Sequence, residues 1–304
     1  YFTEEIRKYL ETKYGYAGIY ERGLKIHSTL NLEMQKAADR ALDKGVRRLD
    51  KKQGWRPIKT KLSAEQIKIY RDPEWNTEMY PGKIVKGIPI DVSDRLATIR
   101  IGDEEVPLLP DGWAWTHRKS ATELLTAGDL TDFKIQEVKD GKITAISLDQ
   151  VPLVDGALIA MDIKTGKIRA LIGGSDFVTK KFDRATQAYR QTGSAFKPFI
   201  YAAAFERGYT PSDVVIDAPI SYYDPWTKQT WSPQNYTGDF LGPMTLRRAL
   251  ELSRNTVAVK LLEQIGVKYA IQYIDRFDAI KNMQPYLPLA LGASEATLVN
   301  MVRA

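Results

Sequence analysis

The chain has 304 residues, 43% of them hydrophobic and 27% charged, which suits a folded protein with room for two domains rather than one. It contains no Cys and only two histidines, His27 and His117, so disulfides, thiol catalysis, thiolate-bound metal and a His-based triad are excluded or unexpected. The net charge of +6 is spread along the chain without a dense Lys/Arg cluster interleaved with aromatics, so it reads as solvated surface, with a weak preference for anionic envelope polymers or lipid headgroups as the alternative, and not as a nucleic-acid site.

Residues 1–50 read as two helices around a short strand. Thr3 is placed to cap the first helix, with Glu4 and Glu5 in its first turn, and Gly15 and Gly18 are expected to end it. Leu24–Leu30 alternates like a strand, and Asn31 then caps a helix over Leu32–Leu49 with Met34, Ala37, Ala38, Ala41 and Leu42 on one face. Residues 51–80 are polar and rich in Trp and Pro, a connector with one helix near Ala64–Tyr70. No run of about 18 apolar residues occurs anywhere, so no membrane-spanning helix is expected in this chain. It opens without Met and stops at Met301-Val302-Arg303-Ala304 inside a helical pattern, and is expected to be a piece of something longer.

Residues 81–153 change style. Lys83–Lys86, Leu96–Ile101, Phe133–Val138 and Ile143–Leu148 alternate as short strands, and Asp140-Gly141 is a hairpin signal. Some five strands in this span predict a small all-β, OB-like barrel. From residue 154 the pattern becomes two strands, Ala157–Asp162 and Ile168–Gly173, joined by a turn at Thr165-Gly166. Helical patterns follow over Ser194–Arg207, Leu246–Ile265 and Lys268–Arg276. The organisation is α+β: a leading linker region over 1–80, the OB-like insert over 81–153, and a second domain over 154–304.

Chemistry concentrates in Gly193-Ser194-Ala195-Phe196-Lys197-Pro198. Ser194 opens a helix after Gly193, with Pro198 in the first turn where a missing N–H is tolerated. A spacing of three sets the Ser194 hydroxyl and the Lys197 amine on one face. A serine hydroxyl attacks a carbonyl only when a base takes its proton. Lysine becomes such a base when apolar enclosure, here by Phe196 and Phe199, disfavours its charged form. The Ser194 N–H is a candidate for half of an oxyanion hole. About one chance S-x-x-K is expected in a chain of this size. This one is the only match, and it opens a helix, Phe199–Phe205, that is apolar nearly all round. A second constellation, Ser253-Arg254-Asn255, supplies a hydroxyl to relay a proton and an amide to bind one.

These motifs resemble the transpeptidase domain of class A, bifunctional penicillin-binding proteins. The likeness extends through Gly208-Tyr209-Thr210-Pro211, Trp231-Ser232-Pro233-Gln234-Asn235-Tyr236 and Leu246–Asn255, and upstream through Gly23–Gln35, which is similar to the linker after their glycosyltransferase domain. The resemblance implies a peptidoglycan D,D-transpeptidase. Ser194 is the nucleophile, Lys197 its base, Ser253 and Asn255 the relay and positioning groups, and Asn255, Gly193 and Trp231 substrate-binding residues. It implies β-lactams and stem peptides as ligands and no cofactor or metal. It also implies a glycosyltransferase domain and membrane anchor upstream, a periplasmic location, and lipoprotein or cell-division and elongation partners docking on the insert. The family's K-T-G strand follows S-x-N in chain order, whereas Lys164-Thr165-Gly166 precedes Ser194, so it is read as a turn and the true third motif is expected beyond Ala304. A β-lactamase or carboxypeptidase, a penicillin sensor and a non-catalytic scaffold are the competing readings.

Overall fold

The structure, a computed structural model, describes residues 1–224 and 228–304. It contains two compact units, residues 1–39 together with 156–304, and residues 40–155.

The chain begins with α1 (Phe2–Tyr20), in which Gly15, at φ 71 and ψ 172, is non-helical: Gly15 breaks the helix as expected, whereas Gly18 lies inside the helical piece that follows. Its N-cap is Tyr1 rather than Thr3, with no side-chain cap. The stretch Leu24–Leu30 joins no ladder; it is tied down singly, by Thr29 Oγ1 donating to Ile168 O at 2.6 Å, and the following Asn31 N–H donates to Arg169 O at 2.8 Å. Asn31 caps α2 (Leu32–Lys52) as expected, its Oδ1 accepting from Met34 N–H at 3.0 Å. Of the expected apolar face only Ala38 is buried, and Met34 is exposed.

The compact strand-rich unit begins at Arg40, inside α2, not at residue 81. Trp55, Ile58, Trp75 and Met79 of the polar-looking connector pack on the strand core, so scattered large rings carry burial that periodicity does not reveal. Within it α3 (Ala64–Ile69) starts on a reciprocal Ser63/Gln66 capping box. Five strands follow: β1 (Ile84–Val92), β2 (Ala97–Ile101), β3 (Glu104–Leu108), β4 (Thr131–Lys139) and β5 (Lys142–Asp149). All neighbours are antiparallel, in the order β3-β2-β1-β4-β5. The strand β3 escaped the sequence reading because Pro107 and two glutamates mask its alternation. Asp140 and Gly141 both adopt positive φ in the β4–β5 hairpin, as the two-residue turn demands. The two edge strands approach where Glu104 Oε2 accepts from Ile143 N–H at 2.8 Å. Ile88, Ile99, Val106, Phe133, Ile135 and Leu148 fill the interior.

The other unit resumes with the hairpin β6 (Leu158–Met161) and β7 (Ile168–Ile172). Lys164-Thr165-Gly166 is its turn, closed by Asp162 Oδ1, which accepts from Lys164 N–H at 3.2 Å and Thr165 N–H at 2.8 Å. Short strands β8 (Arg190–Gln191), β9 (Val214–Asp217), β10 (Tyr222–Asp224), β11 (Gln229–Trp231), β12 (Gly242–Thr245) and β13 (Glu295–Ala296) form the pairs β8–β13, β9–β12 and β10–β11. The helices are α4 (Lys197–Glu206), α5 (Leu246–Glu251), α6 (Asn255–Ile265), α7 (Val267–Asp275) and α8 (Leu298–Arg303). Phe196, Ile200, Ala203, Ala204, Leu246, Val257, Leu261, Leu262 and Ile274 make one buried cluster that binds α4, α5, α6 and α7 together. The predicted helix Leu246–Ile265 is broken at Leu252–Arg254, where Ser253 adopts φ 54. The side chain of Lys197, the first residue of α4, reaches into that break.

Candidate active site

Ser194 lies in a single 3-10 turn, Gly193–Phe196, and α4 begins three residues later at Lys197, so the predicted helix start is tighter than an α-turn. Residues i and i+3 eclipse in a 3-10 turn, which stacks Ser194 over Lys197. Ser194 is exposed, whereas Lys197 is 1% exposed. The turn is clamped by a strap. Thr192 N–H donates to Ser294 O at 3.0 Å and Gly193 N–H to Gly292 O at 3.2 Å, continuing the β8–β13 pairing. Gly292 is obligatory there: φ is +72, and a Cβ would sit 2.1 Å from Gly193 O. Gly193, anticipated as substrate-binding, therefore spends its N–H on the strap.

The Lys197 amine points at the break between α5 and α6. Its Nζ donates to Ser253 O at 2.6 Å and Asn255 Oδ1 at 2.6 Å, and lies 3.0 Å from Ser253 Oγ. Among the described residues Ser194 Oγ is not one of its hydrogen-bond partners; the break supplies them. Only the left-handed backbone at Ser253 turns both its carbonyl and its hydroxyl toward one amine, which is why a continuous helix could not serve. Two of the three partners are pure acceptors. The amine donates to both, and its third contact is the Ser253 hydroxyl, through which a proton can pass between Lys197 and Ser253. Burial, and then the Arg254 cation, lower the Lys197 ammonium from 10.5 to about 8.

Asn255 is held from both ends of its amide. Oδ1 accepts from Lys197, and Nδ2 donates to Gln234 O at 2.8 Å. Its backbone N–H donates to Asn235 Oδ1 at 2.7 Å. Asn235, 5% exposed, passes the constraint on through Nδ2 to Asp217 Oδ1 at 2.8 Å. Asp217 is fully buried and also receives Leu241 N–H at 3.0 Å, the Thr256 hydroxyl and the Arg254 guanidinium at 2.7 Å. Arg254 donates further to Asp239 Oδ1 at 3.0 Å and Asp239 O at 2.6 Å. These bonds outweigh burial and hold the Asp217 carboxyl below its ordinary range. Sequence reasoning left Asp217, Asn235, Arg254 and Gly292 without roles. The one available signal was Arg254, a cation inside Ser-x-Asn at a helix boundary. Trp231 stacks on Tyr222 at 6.0 Å and shares no hydrogen bond with Lys197, Ser253 or Asn255 among the described residues.

Residues 156–286 match the penicillin binding protein transpeptidase domain family. Over its whole length the chain is similar to proteins called penicillin-binding protein 1A: 35% identical to that of Rickettsia bellii and 36% to that of Neisseria gonorrhoeae, covering 100% of this chain in each case. The crystal structure of penicillin-binding protein 1A from Haemophilus influenzae covers 98% of the chain with a TM-score of 0.84 at 28% identity. The fold is thus the α+β transpeptidase fold of that family. The chain spans 38% and 39% of those two curated relatives and 44% of the Haemophilus chain.

Proposed function

We propose that this chain carries the acylating centre of a peptidoglycan D,D-transpeptidase. The observation that carries the reading is the Lys197 amine, buried beside Ser194, lowered to about 8 and oriented by Ser253 and Asn255. In the first half-reaction Ser194 Oγ attacks the carbonyl between the two terminal D-Ala residues of a stem peptide. Lys197 takes the hydroxyl proton as the Oγ–C bond forms. Ser253 hands its proton to the departing D-Ala amine as the C–N bond breaks and is reprotonated by the Lys197 ammonium, which restores the neutral amine. The amine of a neighbouring stem peptide then attacks the ester: its N–C bond forms, the Ser194 Oγ–C bond breaks, and the proton the amine loses passes through Lys197 to Ser194 Oγ. β-Lactams acylate the same hydroxyl.

The relatives are more than twice as long as the chain, which supports a parent protein that also holds a glycosyltransferase domain and an anchor upstream, with this part on the periplasmic face. Among the described residues no helix is long and apolar enough to cross a membrane. The strand order and the approach of β3 to β5 support an OB-like reading of the insert, which is the surface proposed for protein partners. No metal or organic cofactor enters the proposed chemistry.

The test is intact mass of the full-length parent after benzylpenicillin, beside Ser194→Ala. A stable adduct on wild type alone is the expected result, and a cross-linking assay then separates a transpeptidase from a sensor. A folded parent that takes up no penicillin leaves a scaffold and ends the catalytic reading.

A further inference from the structure

The strand-rich unit contains a groove of about 720 Å³ lined by the second half of α2 together with Ile84, Trp115, His117 and Lys134. Its charge is one-sided. Arg47 and Lys51 spend their charges on buried Asp149, at 3.1 and 2.8 Å, and Arg47 also pairs with Asp43. The remaining cations of the wall, Arg40, Lys44, Arg48, Lys52 and Lys134, have no ion pair or side-chain hydrogen bond among the described residues. The four on α2 are exposed and follow one another at intervals of four, so each stands one turn from the next. Like charges at that spacing repel and weaken a helix. The fold therefore keeps four mutually repelling cations along one wall of a concavity with no ion pair among the described residues, and only Lys52, at the C-terminus of α2, has the helix dipole in its favour.

The groove also presents an aromatic surface. Trp115 is fixed by its Nε1 donating to Leu148 O at 2.9 Å and by an edge contact with Trp55 at 5.8 Å. The ammonium of Lys51 lies 4.9 Å from the Trp115 ring centre. A rigid half-exposed indole beside a row of free cations suits a ligand that alternates flat faces with acidic groups.

We infer that this groove binds an anionic glycan: the free cations meet carboxylates carried along the strand, and Trp115 packs on a sugar face. A concave, ring-lined site favours a polymer strand over a lipid surface, which meets a convex face bearing apolar side chains. That the glycan is uncross-linked peptidoglycan, acidic through its lactyl and stem-peptide carboxylates, rests on the transpeptidase reading; the preference for acidic over neutral glycan does not. The site's work is then to hold a strand near the enzyme while Ser194 acts on its peptides.

The test is equilibrium binding of soluble uncross-linked peptidoglycan strands to the 304-residue chain, beside neutral N-acetylglucosamine oligomers and phosphatidylglycerol vesicles. A variant carrying Arg40→Gln, Lys44→Gln, Arg48→Gln and Lys52→Gln is compared, with circular dichroism to establish its fold. The expected result is binding to the acidic strands that weakens with added salt and falls about tenfold or more in the variant, with neutral oligomers binding poorly. Lys119→Gln, an exposed cation outside the groove, leaves affinity unchanged. Equal affinity of wild type and variant, a preference for the neutral oligomers, or binding to the vesicles alone overturns the inference. Because the readout is affinity and not acylation, a parent that fails to take up penicillin sinks the transpeptidase reading without touching this result.

Discussion

Two sets of charges in this chain are arranged in opposite ways. Around Lys197 the charges are answered, and the central pair is buried: Asp217 has no exposed surface and collects Arg254, Asn235, Thr256 and a backbone N–H. Along the groove-lining face of α2, Arg40, Lys44, Arg48 and Lys52 are exposed and have no ion pair among the described residues. Buried ion pairs contribute little net stability but are costly to break, whereas exposed cations are nearly free to remove. A protein gains from the first arrangement when it must fix geometry, and from the second when it must keep charge available for something else.

The sharpest way to break the contrast is to remove Asp217. Asp217→Ala leaves Arg254 buried with only the exposed Asp239 as counter-charge and frees Asn235 and Thr256 from their acceptor. The expected cost is about 3–5 kcal/mol in chemical denaturation, with loss of penicillin acylation. A cost below about 1 kcal/mol would show that the network does not organise the site. Lys197→Met keeps the volume and removes the base. Acylation is expected to fall about 10²–10⁴-fold with the fold intact, read by the rate of fluorescent-penicillin labelling.

The pH dependence separates a base from a structural lysine. Lys197 accepts a proton only when neutral, so acylation should rise about tenfold per pH unit below 8 and level off above it, given its lowering to about 8. Arg254→Gln removes the like charge that contributes to that lowering, so the limb should move to higher pH. A plateau that drops with an unmoved midpoint would mean that Arg254 acts through packing alone. Stability carries the same signature. The folded lysine titrates near 8 and the unfolded one near 10.5, so between those values the unfolded chain binds more protons and stability rises with pH. Relative to Lys197→Met, wild type should gain about 3 kcal/mol across that window.

How much of the fold and site was legible in the sequence depends on sequence distance. Ser194 and Lys197 are three apart, and Ser253 and Asn255 two apart, so local spacing exposed both pairs. That the two pairs meet at Lys197 Nζ required the fold, because they lie 56 and 58 residues apart. Asp217 and Arg254 are 37 residues apart and look like any two charges on a surface. The helix over Leu246–Ile265 was read as one pattern across the polar run Ser253–Thr256, where Arg254 inside Ser-x-Asn was the one hint of a boundary; the left-handed conformation of Ser253 is a tertiary demand. In the strand-rich unit, alternation revealed four strands. Its entry over 40–80 stayed hidden because Trp55 and Trp75 pack singly.

The smallest effect tests the other side of the contrast. Lys44 stands one turn from both Arg40 and Arg48, so Lys44→Gln removes two repulsive pairs from α2 and breaks no bond within the described residues. At about 0.2–0.5 kcal/mol per pair, the variant should be more stable than wild type by about 0.4–1 kcal/mol at low ionic strength. Added salt should erase the gain, since the Debye length shrinks to about 3 Å at 1 M. The sign is the point. A substitution that stabilises the chain while weakening its hold on an acidic glycan would mark Lys44 as a residue kept against the interest of stability. A destabilised variant would mean that Lys44 answers a charge after all, and the two halves of the comparison would be less different than the geometry makes them.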